Sequence, residues 1–172
     1  AWPLLDLQIR TGQLELRLPT DTELTSLAAL ARAGIHPPEE MPFGVPWTDA
    51  SGVDLERAFL QYHWRCRGQW RPEEWRLELG VWAEGQPVGI QMIGATDFAM
   101  LRTVTTGSWL GRAFQGRGIG KEMRAAVLAL AVQRLAPNPK TVLETLDLDT
   151  DGFALQARRL LSMAATRSLA LG

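Results

Sequence analysis

The run Gln115-Gly116-Arg117-Gly118-Ile119-Gly120 is the part of the sequence with the strongest chemical signature. It follows a strand-like segment and leads directly into a long apolar-periodic segment. A glycine-rich turn at a helix start forms an anion site, because the first-turn N–H groups lack helical acceptors and the helix dipole adds partial positive charge. Glycine lets the backbone approach phosphate oxygens without a side chain in the way. Arg117 and Lys121 place positive charge at the rim. Two phosphate-binding patterns do not fit. The dinucleotide fingerprint needs glycines at its first, third and sixth places, but counting from Gly116 the sixth is Lys121, and from Gly118 it is Met123. The nucleoside-triphosphate loop has a glycine spacing like that of Gly111 and Gly116, but requires Lys and then Ser or Thr where Arg117 and Gly118 stand.

What remains, Gln-x-x-Gly-x-Gly, resembles the turn of the GNAT superfamily of acyl-CoA-dependent N-acyltransferases. The resemblance implies that Gln115, Gly118 and Gly120 occupy the motif places. The backbone from Gly116 through Arg117, Gly118, Ile119 and Gly120 to Lys121 would face the pyrophosphate of acetyl-CoA. Trp109 and Leu110 would lie at the strand end that meets the pantetheine arm. The segments Arg10-Thr11-Gly12-Gln13-Leu14-Glu15-Leu16-Arg17 and Thr106-Gly107-Ser108-Trp109-Leu110 look like the subgroup that includes ribosomal-protein N-terminal acetyltransferases. The resemblance is strongest over 13–131. Beyond it, Thr150 stands where the family has an Asn, and Leu161-Ser162 replaces a Gly-Tyr pair whose tyrosine often protonates the leaving thiolate. This leaves the general acid unassigned and the C-terminal part expected to be diverged or truncated.

The elements that must position this turn follow from periodicity. Leu14 to Leu18 alternates and predicts a strand; Thr20 and Glu23 form a capping-box pattern opening a helix that carries Leu24, Leu27, Ala28 and Ala31 and stops at Gly34. A second helix is expected with Leu55, Ala58, Phe59 and Tyr62 on one face, ending near Gly68. Trp75 to Ala83 and Val88 to Ile93 predict a hairpin turning at Glu84-Gly85-Gln86-Pro87. Thr103 to Leu110 predicts the strand before the turn, and a helix should run from about Gly118 to Leu135. A strand over Val142–Leu148 and a helix over Phe153–Met163 complete the order. The expected fold is α/β (α+β), a GNAT-like, mainly antiparallel central sheet flanked by helices, in a single domain over 1–172.

Between the first two helices, Ile35 to Trp47 contains Pro37, Pro38, Pro42 and Pro46, which exclude a regular helix. The same loop holds Met41, Phe43 and Trp47, so it either packs on the body or lines a pocket; Phe43 and Trp47 are the candidate acceptor-binding residues.

Acetyl transfer needs a neutral amine, donors for the oxyanion and a proton for the thiolate. Ser108 is the catalytic candidate, as a residue on the pantetheine strand able to hold a water. Asp97 after the hairpin, and His63 on the second helix, have the chemistry of a base, though a turn-capping Asp and a structural His are the better readings. Glu39, Glu40 and Asp49 could attract a cationic amine or be ordinary loop carboxylates. Cys66 lies between Arg65 and Arg67 but has no clear His partner. No metal-ligand spacing is present.

The bulk properties set limits. The chain has 172 residues, a formal net charge of −1 and 46% apolar residues, which argues against nucleic acid or an anionic membrane as partner. One cysteine points to a reducing, cytoplasmic home, and the longest apolar run, Ala125 to Val132, is too short to span a bilayer. The expected partners are acetyl-CoA and an amine acceptor, protein or small molecule, with the chain a monomer or homodimer. Two other readings stay open: a CoA-binding regulatory module without turnover, and a peptide-docking protein with a Pro- and Trp-rich surface.

Overall fold

In the computed structural model the described residues are 3–101 and 103–131. They contain five strands: β1 (Gln8–Arg10), β2 (Leu14–Arg17), β3 (Glu74–Ala83), β4 (Gln86–Thr96) and β5 (Thr105–Leu110). The helices are α1 (Asp21–Arg32), α2 (Gly52–Gly68), the single turn α3 (Phe98–Leu101) and α4 (Ile119–Leu130). The strands form one sheet in the order β1-β2-β3-β4-β5, every neighbouring pair antiparallel. The expected strand over 142–148 and helix over 153–163 lie outside the described residues, as does the predicted extension of α4 towards 135.

Helices cover both faces of the sheet. On one face, Ile119, Met123, Ala126 and Val127 of α4 pack with Leu16, Leu77, Leu79, Val81, Val88 and Ile93. On the other, Leu24, Leu27 and Ala28 of α1 and Phe59 of α2 pack with Ile90. This two-sided burial explains why residues between the obvious core positions of β3 are themselves buried, Glu78 and Trp82 among them.

Local chemistry fixes the ends. Thr20 Oγ1 accepts from the Glu23 N–H at 3.3 Å while Glu23 Oε2 accepts from the Thr20 N–H at 2.8 Å, which is the predicted capping box. Arg17 joins Glu23 through two nitrogens, at 2.8 and 2.5 Å, and its guanidinium lies 4.0 Å above the centre of the Trp82 ring. The Arg17 hydrogen bond is the main reason the Glu23 carboxyl is pushed down to about 2. At the β3–β4 hairpin Glu84 and Gly85 both have positive φ, 52° and 76°, as a tight two-residue turn requires.

Three expectations need correction. The sheet begins earlier than Leu14: β1 pairs Gln8 with Arg17 and Arg10 with Glu15. Its three mostly exposed residues carry too short an alternation to show in the sequence. The return strand of the hairpin runs to Thr96, past the predicted end at Ile93, because Glu74, Trp75 and Arg76 supply partners for Thr96, Ala95 and Gly94. The buried stripe of α2 is Leu55, Phe59 and His63, spaced by four; Ala58 is exposed and Tyr62 half-buried. The helix presents its i, i+4 row to α1 and the sheet, and His63 completes that row in place of an apolar residue.

Two predictions follow from this packing. A Cβ on Gly89 would stand 2.1 Å from the Trp109 carbonyl oxygen and 3.0 Å from Leu110 Cα, so β4 and β5 meet there with no room for a side chain. Gly89→Ala should cost about 3 kcal/mol in urea unfolding, the upper end of overpacking penalties; a loss below about 1 kcal/mol would show that the strands separate freely. The second concerns His63, whose ring is pushed down to about 3, first by burial and then by the Arg67 charge. Above about pH 6.5 neither state is protonated, so the folded chain suffers no penalty; as pH falls towards 3 the unfolded chain gains a proton that the folded one refuses, and stability is lost. His63→Gln should therefore remove about 2 kcal/mol of the stability difference between pH 7 and pH 5. Parallel urea midpoints for both chains across that range would contradict the assignment.

Candidate active site

The glycine turn stands where β5 ends. After Leu110 the chain makes one tight 3-10 turn, Arg112–Phe114, and Gly111 packs so closely on α1 that a Cβ there would be 2.6 Å from Leu30 Cδ1. Gly116 and Gly118 then have φ of 74° and 81°, left-handed values that L side chains rarely adopt. At neither position would a Cβ meet another atom within 4 Å, so conformation and not crowding demands glycine. Gly118 is the N-cap of α4, and the Lys121 and Glu122 N–H groups both reach back to its carbonyl at 3.1 Å. The N–H groups just before them are the ones a helix start leaves without an internal acceptor. The turn ahead of them opens to solvent: Gln115, Gly116, Arg117 and Gly118 are exposed, while Ile119 is buried and anchors the turn in the core. The Arg117 guanidinium lies over the Phe114 ring at 5.9 Å and Lys121 is exposed, so positive charge borders the turn.

Two side-chain sets hold this turn in place. Gln115 Nε2 donates to the Ile35 carbonyl at 2.6 Å and to the Leu110 carbonyl at 2.9 Å. Both amide hydrogens are thereby engaged on the protein. On the other side, Glu122 accepts from Thr11 Oγ1 and from Gln13 Nε2, the latter at 2.6 Å, which ties the first turn of α4 to the β1–β2 connection.

β5 presents one bonded edge and one outward edge. The Gly111 N–H donates to Val88 O at 3.0 Å, which makes 88 and 111 a hydrogen-bonded pair. By antiparallel alternation Trp109 and Gly107 also bond towards β4, and the main-chain groups of Thr106, Ser108 and Leu110 point away from it. No other strand among the described residues lies beyond that edge. The side chains divide by face. Trp109, opposite Ile90, lies on the α1/α2 side, and Ser108, opposite Gln91, lies on the α4 side. Gln91 is fully buried; its Nε2 donates to the carbonyls of Met92 and Gly107, each at 3.0 Å, and its Oε1 has no partner.

The proline-containing loop closes onto Trp109. Phe43 and Trp47 are 5.4 Å apart between ring centroids, Trp47 and Trp109 6.0 Å, and Phe59 and Trp109 6.0 Å. His36 pins the loop: Nδ1–H donates to Pro37 O at 2.8 Å, which leaves Nε2 to accept from the Thr48 hydroxyl at 2.8 Å. The structure thus brings Phe43 and Trp47 together with Trp109 in one aromatic wall at the end of β5. Of the two alternatives open in the sequence, the structure shows the loop packed on the body, its rings half-buried against Trp109.

Other candidates are elsewhere. Asp97, with φ of 47°, caps the turn after β4, its carbonyl accepting from the N–H groups of Met100 and Leu101, at the end of β5 remote from the glycine turn. Glu39, Glu40 and Asp49 are exposed. Burial raises the Cys66 thiol, which keeps it protonated rather than activated. Among the described residues no group of three His, Cys, Asp or Glu is placed to hold a metal ion. Thr150, Leu161 and Ser162 lie outside the described residues.

Sequence reasoning missed Glu78. Its carboxylate is buried on the α1/α2 face, where Tyr62 Oη–H donates to Glu78 Oε1 at 2.6 Å and Arg76 Nη1 donates to Tyr62 Oη at 3.0 Å. Burial raises the Glu78 carboxyl, and the Tyr62 hydrogen bond and the Arg76 charge offset part of that rise. Alternation alone assigns position 78 to solvent; the second helix layer is the signal that it would be covered.

Comparison with known proteins agrees with this geometry. A model of the acetyltransferase (GNAT) domain matches residues 13–163. Among solved structures, a provisionally assigned ribosomal-protein-serine acetyltransferase from Vibrio cholerae superposes with a TM-score of 0.56 and 22% identity, over 89% of this chain and 83% of that one. RimL, a ribosomal L7/L12 alpha-N-protein acetyltransferase solved with coenzyme A, gives 0.54 and 16%, over 74% and 69%. A provisionally assigned acetyltransferase from T. thermophilus gives 0.54 and 17%, over 74% and 61%. At these identities the superpositions speak for the fold, and the domain match speaks for the family. A glycine turn at a helix start, directly after a strand with an outward edge and within a domain matched over most of its length, makes this chain a member of the GNAT acetyltransferase family, an acyltransferase by class.

Proposed function

We propose that the chain transfers an acetyl group from acetyl-CoA to a primary amine by direct attack within a ternary complex. The observation that carries this reading is the pair of left-handed glycines, Gly116 and Gly118, in an exposed turn that leads the N–H groups of 116–121 into the start of α4. Those N–H groups suit the pyrophosphate of CoA, with Arg117 and Lys121 adding charge at the rim. The outward main-chain groups of Ser108 and Leu110 suit the amides of the pantetheine arm, which would run along β5 as an added strand. The thioester then lies near Trp109.

The acceptor approaches along the aromatic wall of Phe43, Trp47 and Trp109. Removing an amine from water against these rings favours its neutral form, which is the nucleophilic one. Its nitrogen lone pair attacks the thioester carbonyl, the C–N bond forms, and the C–S bond breaks as the tetrahedral oxyanion collapses. The nitrogen loses a proton and the thiolate gains one. Ser108 stands on the α4 side of the strand, opposite the aromatic wall, so its hydroxyl or a water it holds would serve the departing sulfur. Relatives of similar fold are named for acetylating a ribosomal protein or spermidine, which fits an acceptor class of protein N-termini and small amines.

Isothermal titration with acetyl-CoA is the first test, and Gly118→Asp is the informative variant. A carboxylate at the turn would face the pyrophosphate, and binding should fall below detection; ordinary affinity in that variant would falsify the assignment of the turn. Thiol release with a panel of serine-starting peptides, spermidine and simple primary amines is the second test. Affinity without thiol release on any amine would identify a CoA-binding module, and absence of affinity in the parent chain would leave a docking protein.

A further inference from the structure

We propose that Gln115 is a positioning residue that couples the phosphate turn to the acceptor loop, so that a ligand held at 116–121 orders residues 35–47. This rests on the acetyl-CoA reading above and extends it to how the two substrate sites are joined.

The loop is attached to the end of β5 at both of its ends. At the start, Ile35 O accepts from Gln115 Nε2 at 2.6 Å, and Gly34 O accepts from the Arg112 N–H at 3.1 Å. Ile35 is itself buried, packed with Ala31 and Leu55. At the finish, Trp47 closes on Trp109, one residue before the Leu110 carbonyl that takes the other Gln115 hydrogen. Gly34, with φ of 119°, is the joint from which the loop leaves α1. Between these ends, chain 38–46 is largely exposed and makes few ties of its own.

Gln115 has two amide hydrogens and gives one to each side: Leu110 belongs to the cofactor strand and Ile35 to the acceptor loop. Its own backbone opens the glycine turn, so a diphosphate that immobilises the turn also immobilises the side chain that spans the two. Ordering the loop sets Phe43 and Trp47 against Trp109, which completes the acceptor wall. By linkage, an acceptor that orders the loop raises cofactor affinity by the same factor.

The test is hydrogen exchange across 35–47 with and without CoA, read alongside calorimetry on the same samples. In the parent chain, saturating CoA should slow exchange of the loop amides about tenfold, within the usual range of such couplings. Gln115→Ala should bind CoA more weakly, since the turn loses a tie, yet once saturated with CoA its loop should exchange at the same rate as without ligand. Gln115→Arg, which keeps donors with longer reach, should restore part of the response. If the alanine chain fails to fold by circular dichroism, Gln115→Met keeps the length and stem without the donors. Loop slowing by CoA that is equal in the parent and in either donor-free variant overturns the coupling, as does CoA binding to the parent with no slowing. Absence of CoA binding to the parent sinks the coupling and the acetyl-CoA reading together, and is recognised by the missing heat.

Discussion

A helix start leaves several N–H groups with no carbonyl of their own, and this chain arranges its structure around where those of α4 point. Ile119 and Met123 fix the helix in the core, Gly118 sets the backbone left-handed, and residues 115–118 ahead of the helix are exposed. A bare helix end of this kind would be loose. Here it is held from both sides, by Glu122 to the β1–β2 connection and by Gln115 to Leu110 and Ile35. The side chains around the turn serve to keep its main chain in place.

The sheet serves the same purpose at longer range. Burial on both faces makes β3 and β4 rigid, and the close approach at Gly89 locks β5 against β4. Only then does the outward edge of β5 have a fixed direction. The same two-sided burial has a cost, since it takes Glu78 and His63 out of water. Glu78 is compensated by Tyr62 and Arg76, whereas His63 is held neutral against Phe59 at 4.4 Å between ring centroids.

Much of this is legible in the residues themselves. The turn is legible because its requirements are local: two left-handed positions can be filled almost only by glycine, and a helix start has a composition. The capping box at Thr20 and Glu23 and the hairpin turn at Glu84-Gly85 are legible for the same reason. What stays hidden in the sequence is tertiary. β1 is three residues long and owes its existence to the neighbour it pairs with, so alternation has nothing to report. Ala58 and His63 exchange places because a helix face is chosen by what covers it, and an imidazole can be buried where a methyl is exposed. Glu78 reads as solvated because period-two alternation assumes one wet face, and α2 covers that face. The partnership of Gln115 with Ile35 spans eighty positions of sequence, and no local pattern encodes it.

Trp109 is placed to do one thing more. Its ring touches the loop through Trp47 while its main chain belongs to β5, and the two indoles are 6.0 Å apart. At that separation their excited states are close enough to exchange energy, and the emission of the pair depends on how the rings face each other and on how dry they are. The protein therefore carries its own optical reporter where β5 meets the loop over 35–47. In a chain whose other tryptophans are replaced by phenylalanine, occupancy on either side of β5 becomes visible as colour and intensity, with no label attached.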